Sequence, residues 1–517
     1  MKKQLLYTAF FLSAFLANAQ EPNPASALRY AIDNTMGTAR YRGMSGAFGA
    51  VGGDLSSINV NPAGSAFFNS NTAGGTISNY NIKNNSNYFG STSTDNSSTL
   101  DFNQLGASLV FLNTKENSDW KKFTIAVNYE KKNDFENNIF SRGVNPNRSI
   151  SEYFTSFANG FGDLGGITLG TLQDANYRDL TFIDQQAWLG YQSYMFSPVD
   201  PGNTNDPNIT NYTSTVPAGG NFYQENRISS SGYNGKLAFN VSSSYKDKLF
   251  LGMNLNVHFT DYTQTSSVYE TNSGPDNAGI ATLHSVVFNN DLHTYGSGFS
   301  LNLGLIAKIT KDFRLGAGYE SPTWYTLTDE LSQSISTTFK TGPNDNPANT
   351  ESSSNINPDV INIYPTYKIQ TPGKITGSLA YIFGKKGLIS FDYSLKDYGA
   401  TKFKPENNRY YSSVNSKMAE TLTAASEFRV GLEYRIKQIS LRGGYRFEES
   451  PYKDKKTVAD LNGYSAGLGY SFGDSRIDLA YSYSQRDMAV SLLSSFTDAA
   501  KVNVKNNNMT LSYTFNF

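Results

Sequence analysis

Residues able to move protons, hold metals or act as nucleophiles are scarce in this chain. It has 3 His and no Cys among 517 residues. Thiolate chemistry, disulfide staples and lipid anchoring through a modified cysteine are therefore excluded. His258, His284 and His293 are the available bases. None accompanies a nucleophile elbow, a metal-ligand cluster or a carboxylate pair of useful spacing. The sequence reads as non-enzymatic, with no cofactor and no metal. The polar chemistry that stands out is binding chemistry: Asp392, Arg429, Glu433, Arg442 and Arg446 lie in the middle of segments that otherwise alternate apolar and polar. Charges in mid-strand suit a wet lumen better than a dry core.

A second group of polar residues lies in Gly37–Phe68, which carries 7 of the 44 glycines. Glycine at this density permits left-handed backbone and close approach, and disfavours helix or strand interiors. Met44, Phe48, Val51, Leu55, Ile58 and Val60 make the stretch too apolar for a linker. It reads as a compact plug. Arg40, Arg42, Asp54, Asn59 and Asn61 are candidates for its polar contacts with a surrounding wall, on residues such as Arg429 or Glu433. A carboxylate-bearing ligand would favour an arginine, so Arg40 and Arg42 are also candidate ligand contacts.

The elements that would position these residues follow from composition and period. Aromatics make up 14% of the chain, with 34 Tyr and 34 Phe; charged residues are 17% and the formal net charge is −1. This is too aromatic for disorder and too neutral for a nucleic-acid partner. From about residue 72 the period is two. Leu249, Leu251, Met253, Leu255, Val257 and Phe259 share one face, opposite Gly252, Asn254, Asn256, His258 and Thr260. Phe428 to Ile436 and Met509 to Phe517 repeat the pattern. Apolar runs of five or six positions are long enough for a tilted strand to cross a bilayer. Tyr and Phe near strand ends resemble interfacial girdles.

Strands are predicted near 72–82, 103–112, 122–131, 224–244, 248–262, 284–309, 312–329, 360–383, 387–403, 423–436, 438–448, 460–472, 476–487 and 505–517. Short linkers alternate with long ones near 83–102, 132–223, 263–283, 330–359, 404–422, 449–459 and 488–504. That is the plan of an all-β, transmembrane, 14-stranded antiparallel barrel with short turns on one rim and long loops on the other. Lys2-Lys3, the apolar Leu5–Leu16 and Ala17-Asn18-Ala19 read as a secretory signal cleaved after Ala19. The organisation is then a signal at 1–19, a plug at 20–70 that includes a short helix over Ser26–Met36, and a barrel at 71–517.

The insertion at 132–223 is expected to carry short helices. Ser149-Ile150-Ser151-Glu152 reads as a capping box ahead of Tyr153, Phe154 and Phe157, and Leu180–Met195 contains Trp188, Leu189 and Tyr191. Packed together these segments form a lid. A compatible reading is an apolar landing groove at the outer rim, which makes Phe154, Phe157, Trp188, Leu189 and Tyr191 candidate ligand contacts.

The glycine-rich plug resembles the N-terminal hatch of the outer-membrane long-chain fatty-acid and toluene transporters (the FadL type). The resemblance rests on Gly37-Thr38-Ala39-Arg40, Gly46-Ala47-Phe48-Gly49-Ala50, Asp54-Leu55-Ser56 and, most specifically, Asn59-Val60-Asn61-Pro62-Ala63-Gly64. Tyr319-Glu320-Ser321-Pro322, Thr371-Pro372-Gly373 and the terminal Phe517 add weaker matches. It implies a hatch inside the lumen, held through Asp54, Asn59, Asn61, Pro62 and Gly64. It also implies passive uptake of hydrophobic small molecules at the outer membrane of a Gram-negative bacterium. The partners would be such a molecule, for example a fatty acid, and outer-membrane lipid, with the protein a monomer. The alternative is a hatch-containing barrel that docks a secretion or surface-protein complex.

Overall fold

The structure is a computed structural model that describes residues 23–517 except 116, 161–164, 201–205, 217–218, 275–281 and 341–350. The expected signal segment lies outside the described residues. Among the described residues no helix is long and apolar enough to cross a membrane.

Fourteen wall strands follow one another in the chain: β1 Thr72–Tyr88, β2 Ser91–Leu112, β3 Trp120–Asp134, β4 Phe222–Tyr245, β5 Leu249–Asn272, β6 Thr282–Lys308, β7 Phe313–Glu320, β8 Lys374–Ile382, β9 Gly387–Asp397, β10 Ala424–Ile436, β11 Ile439–Glu448, β12 Leu461–Phe472, β13 Ser475–Ser491 and β14 Ala499–Asn516. Each pairs antiparallel with its sequence neighbours, and β14 returns to β1, with Leu511 opposite Ile77. The ring is closed, which leaves little sheet edge at membrane depth, where an unpaired backbone would be costly; the exception is a lapse between β2 and β3 described below. Leu251, Met253, Leu255 and Val257 of β5 face outward and are exposed, as are Leu303 of β6, Leu379 of β8 and Leu432 of β10. Together they make an apolar outer band.

All fourteen strands predicted from the two-residue period are present. Several of the predicted long loops are strand over part or all of their length. Residues 83–102 continue β1 and β2 as a hairpin that turns at Phe89-Gly90, 263–272 continue β5, and 499–504 begin β14. Two predicted strands are instead interrupted. The segment 312–329 stops at Glu320, breaks over Ser321-Pro322-Thr323 and resumes as Trp324–Lys340, which pairs with the upper part of β6. The segment 360–383 breaks at Thr371-Pro372-Gly373 before β8. Proline has no N–H for the ladder, so each break falls where pairing must lapse. The predicted strand at 387–403 ends at Asp397, and Lys402–Lys404 pairs separately with Tyr367–Gln370.

Helix α1 spans Pro24–Ala31, capped by Asn23 in a reciprocal capping box with Ser26. Helix α2 is the short turn Ala39–Gly43. The 132–223 insertion carries α3 (Ser151–Ala158), α4 (Leu169–Asp174) and α5 (Phe182–Gln192), and α6 spans Arg409–Thr421. The expected capping box at Ser149 does not form. The Ser149 hydroxyl donates to Glu270 of β5, and Glu152 pairs with Arg148 at 3.4 Å. The same hydroxyl accepts from Ser151 N at 3.2 Å, so what is lost is the reciprocal bond from Glu152.

Candidate functional site: a hatch wedged in the barrel

The Gly37–Phe68 stretch is an irregular, almost wholly buried body inside the lower barrel. Its glycines permit two things. Gly46, Gly52 and Gly53 take positive φ, which lets the chain reverse within a few residues. Wall glycines admit the hatch backbone: a Cβ at Gly252 would lie 2.3 Å from the carbonyl carbon of Pro62, and one at Gly444 2.5 Å from that of Met44. Positions 252 of β5 and 444 of β11 therefore had to be small.

Polar groups fasten the hatch on several sides. The Arg40 Nε donates to Glu433 Oε2 at 2.9 Å, and Arg442 donates to the same oxygen at 2.7 Å and to Asp478 at 2.8 Å. The amides of Phe48 and Gly49 donate to Asp392 Oδ2 at 2.9 and 3.0 Å. Asn61 Nδ2 donates to the carbonyls of Gly49 (2.7 Å) and Leu305 (3.0 Å). Wall asparagines reach back: Asn240 donates to Pro62 O, Asn254 to Ile58 O and Asn302 to Asn59 O. Asp54 serves the hatch itself, accepting from the Thr38 hydroxyl at 2.7 Å and from Ser56 N at 2.9 Å. The Gly64 carbonyl accepts from Gly53 N at 2.9 Å. Arg429 donates to the Tyr41 hydroxyl at 3.0 Å. Arg42 reaches Ser78 and Ser482.

Above the hatch lies an ionic belt that sequence reasoning missed. Asp33 meets Lys132 (3.0 Å), Lys374 (3.1 Å) and Lys396 (3.0 Å), and Glu320 meets Lys374 at 3.5 Å. Burial alone would raise the Asp33 carboxyl, but the three ammonium groups outweigh it and hold it well below the usual carboxylate range. These residues are scattered in sequence. The available signal was that Glu320 and Lys374 flank the two proline breaks. Higher still is an aromatic layer of Tyr30, Tyr262, Tyr325, Tyr364, Tyr367 and Phe403.

The lid closes the top. Phe154, Phe157 and Leu189 are fully buried in it; Phe154 packs edge-on to Phe288 of β6 with centroids 5.0 Å apart. Trp188 is half-buried against Tyr177 (5.3 Å), and Tyr191 lies half-buried near Phe196 (6.2 Å). The structure thus brings the five aromatic and leucine candidates together in the lid, and Arg40 and Arg42 together in the hatch. The two groups sit at different levels of the barrel. His258 is buried, with Nε2 2.9 Å from the Ser300 hydroxyl, while His293 lies by Asp261 and Glu330.

One further feature concerns the wall. Strands β2 and β3 pair from Leu112↔Lys122 up to Gln104↔Glu130, and there the ladder stops. Beyond it β3 carries a bulge between Lys131 and Asn133. Lys131 spans the break by pairing with Asp101 of β2, and it also meets Asp134 on its own strand at 3.1 Å. Asn103, at the lip, donates to Gly37 O of the hatch at 2.8 Å.

A closed antiparallel barrel with an apolar outer band and a polar lumen filled by its own N-terminal segment defines a hatch-plugged outer-membrane protein. The chain belongs to the outer membrane protein transport protein family (OMPP1/FadL/TodX), whose model matches residues 203–517. No curated protein shows a significant sequence match. The structure is similar to the Pseudomonas putida toluene transporter TodX, with TM-score 0.50 and 15% identity over 94% of this chain and 100% of that one. It is similar also to a Pseudomonas aeruginosa FadL homologue, with TM-score 0.50 and 12% identity over 94% and 100% of the two chains. At such identities the likeness establishes the fold.

Proposed function

We propose that the protein takes up hydrophobic small molecules, fatty-acid-like or aromatic, passively across the outer membrane and releases them sideways into the lipid. The observation that carries this reading is the lapse of β2–β3 pairing beside the hatch, in a barrel whose axis is occupied by lid, aromatic layer and hatch. A solute that cannot run straight through needs a side exit, and apolar solutes partition into the bilayer once there. On this reading Trp188 and Tyr191 meet the solute at the lid, with Phe154, Phe157 and Leu189 shaping that surface. Arg40, Arg42, Asp54, Asn59, Asn61, Pro62 and Gly64 set the hatch position. The toluene-transporting relative supports the class of cargo. The mature chain starts after Ala19, its hatch spans 20–70, and it works as a monomer in contact with outer-membrane lipid.

The test uses the absence of native cysteine. Asp101→Cys places a single thiol at the lip of the break. Cells expressing this variant should take up labelled fatty acid or toluene, and a bulky thiol reagent should block that uptake. Uptake no faster than in cells without the protein would sink the transport reading. Uptake indifferent to the label would sink the side exit alone.

A further inference from the structure

Arg40 and Arg42 lie two positions apart on α2, and only one of them has a counter-charge. Arg40 has Glu433. Arg42 is 2% exposed and has no carboxylate partner among the described residues. Its Nη1 and Nη2 donate to the hydroxyls of Ser78 (3.3 Å) and Ser482 (3.0 Å), and its buried Nε has no acceptor. The Tyr80 ring covers one side, its centroid 5.5 Å from the guanidinium carbon.

The guanidinium borders a cavity of ≈ 90 Å³ between the hatch segment Asn34–Met36 and strands β1, β12, β13 and β14. The other charges on that cavity are spoken for. Arg446 is held by Glu427 (2.7 Å) and Glu448 (2.6 Å), and Asp134 by Lys131 (3.1 Å). What remains is one positive charge with no carboxylate at ion-pair distance, among the neutral groups Ser484, Asn506, Asn508 and the Tyr80 hydroxyl.

An arginine cannot shed its proton to escape such a place, and a charge taken out of water without a partner costs several kcal/mol. The planar fork suits a carboxylate, which accepts two parallel N–H bonds. The space holds several water molecules, enough for a carboxylate and its first carbons.

We propose that this cavity is a carboxylate-binding site, with Arg42 as the charged partner and the serine, asparagine and tyrosine groups completing the shell. Because Arg42 belongs to the hatch and Ser482, Ser484, Asn506 and Asn508 to the wall, an occupied site clamps one to the other. For a free small acid the site stands independently of the proposed cargo; for the head of a longer acid it rests on the fatty-acid-like reading above. Its carboxylate comes from a free small acid or from the head of a longer amphipathic acid.

The experiment is thermal unfolding of the full-length protein in a neutral maltoside detergent, at constant pH and ionic strength, titrated with acetate and separately with hexanoate. The expected result is a saturable rise of the midpoint. In Arg42→Gln the half-saturating concentration rises roughly ten- to a hundredfold, while Arg178→Gln, an exposed lid arginine, leaves the response unchanged. Half-saturation equal for acetate and hexanoate identifies a free small acid as the source. Much tighter hexanoate binding identifies the head of a longer acid. No saturable response in the wild type, or the same response in Arg42→Gln, would overturn the proposal and leave a water-filled cavity. If Arg42→Gln fails to fold, wild-type crystals grown in acetate decide: planar density against Nε supports the site, and separate water peaks there overturn it.

Discussion

The lower and upper halves of the same strands have opposite interiors. At hatch level β5 turns Asn254, Asn256 and His258 inward and Leu251, Met253, Leu255 and Val257 outward. Higher up the inward face of this strand includes Tyr262 and Val268, and the outward positions are Asp261, Thr263 and Thr265. Strand β6 does the same, with Ser300 and Asn302 inward below and Leu292, Phe288 and Val286 inward above. The β5–β6 register runs through the change without a shift. Side-chain parity is therefore constant, and what changes is the medium on each side. Below, lipid lies outside and a polar hatch inside; above, water lies outside and an apolar lid inside. At 24 residues β5 is about 80 Å long, more than twice the bilayer's hydrocarbon core of about 30 Å. The protein is a membrane barrel below and an ordinary soluble core above, built on one set of strands.

The strongest way to break this contrast is to fill the space the hatch backbone occupies. Gly444→Leu puts a side chain where Met44 and Ser45 lie, and a backbone cannot yield as a rotamer can. The expected outcome is an unseated hatch: steady conductance in planar bilayers well above that of the wild type, and protease cleavage within 37–68. The lid should stay docked. A sealed Gly444→Leu barrel would show that the hatch is not what blocks the lumen.

Next in size is the ionic belt. Asp33→Asn leaves Lys132, Lys374 and Lys396 with Glu320 as their remaining nearby carboxylate, and losing one partner of a buried ion pair costs about 3–5 kcal/mol. The pH dependence has a definite sign. The folded-state pKa of Asp33 is depressed, so its stabilisation is complete above the ordinary aspartate value of about 3.9. It disappears as pH falls through the lower folded value. Hatch protection against protease should thus hold across neutral pH and fail only below about pH 4. In Asp33→Asn that acid transition should be reduced. An unchanged acid transition would remove Asp33 from its cause.

The upper half answers to a different substitution. Phe288→Ala removes the ring that meets Phe154. It should cost about 3 kcal/mol, the low end for a buried phenylalanine, because a lid of short helices can settle into part of the gap. Hydrogen exchange should speed up in α3 and α5 while the hatch amides stay protected. Equal acceleration in both regions would mean that lid and hatch unfold as one unit.

This division explains what the sequence disclosed and what it hid. The period of two is plainest where one face meets lipid, so the membrane halves of all fourteen strands were legible. In 263–272, TQTSSVYETN, the outward face is polar and the inward face mixes Val268 with Gln264 and Glu270. Alternation there gives no contrast to read, and a strand looks like a loop. The plug was legible because seven glycines among apolar residues fit nothing else. Arg40→Glu433 was foreseeable as a type of contact, since both are charges that need a partner. The Asp33 belt was not, because its members come from α1's exit, β3, β7, β8 and β9, and only the closed ring brings them together.

The finest comparison is between two threonine caps. Thr38 caps α2 in the hatch: its hydroxyl accepts from Tyr41 N at 3.2 Å and donates to Asp54 at 2.7 Å. Thr181 caps α5 in the lid: it accepts from Asp184 N at 3.3 Å and donates to Asp184 at 2.7 Å. The two caps make the same bonds at nearly the same lengths. They differ in surroundings, since Thr38 is 5% exposed and Asp54 4%, whereas Thr181 and Asp184 are half-buried. Replacing a threonine cap by alanine costs about 1 kcal/mol where water can take over the freed groups, and Thr181→Ala should cost that much. Thr38→Ala also strips a donor from a buried carboxylate, which adds roughly 1–3 kcal/mol. The pair is measured by hydrogen exchange at Asp184 N and Tyr41 N in the two variants. If both caps cost the same, water reaches Asp54, and the lower interior is wet rather than sealed by its hatch.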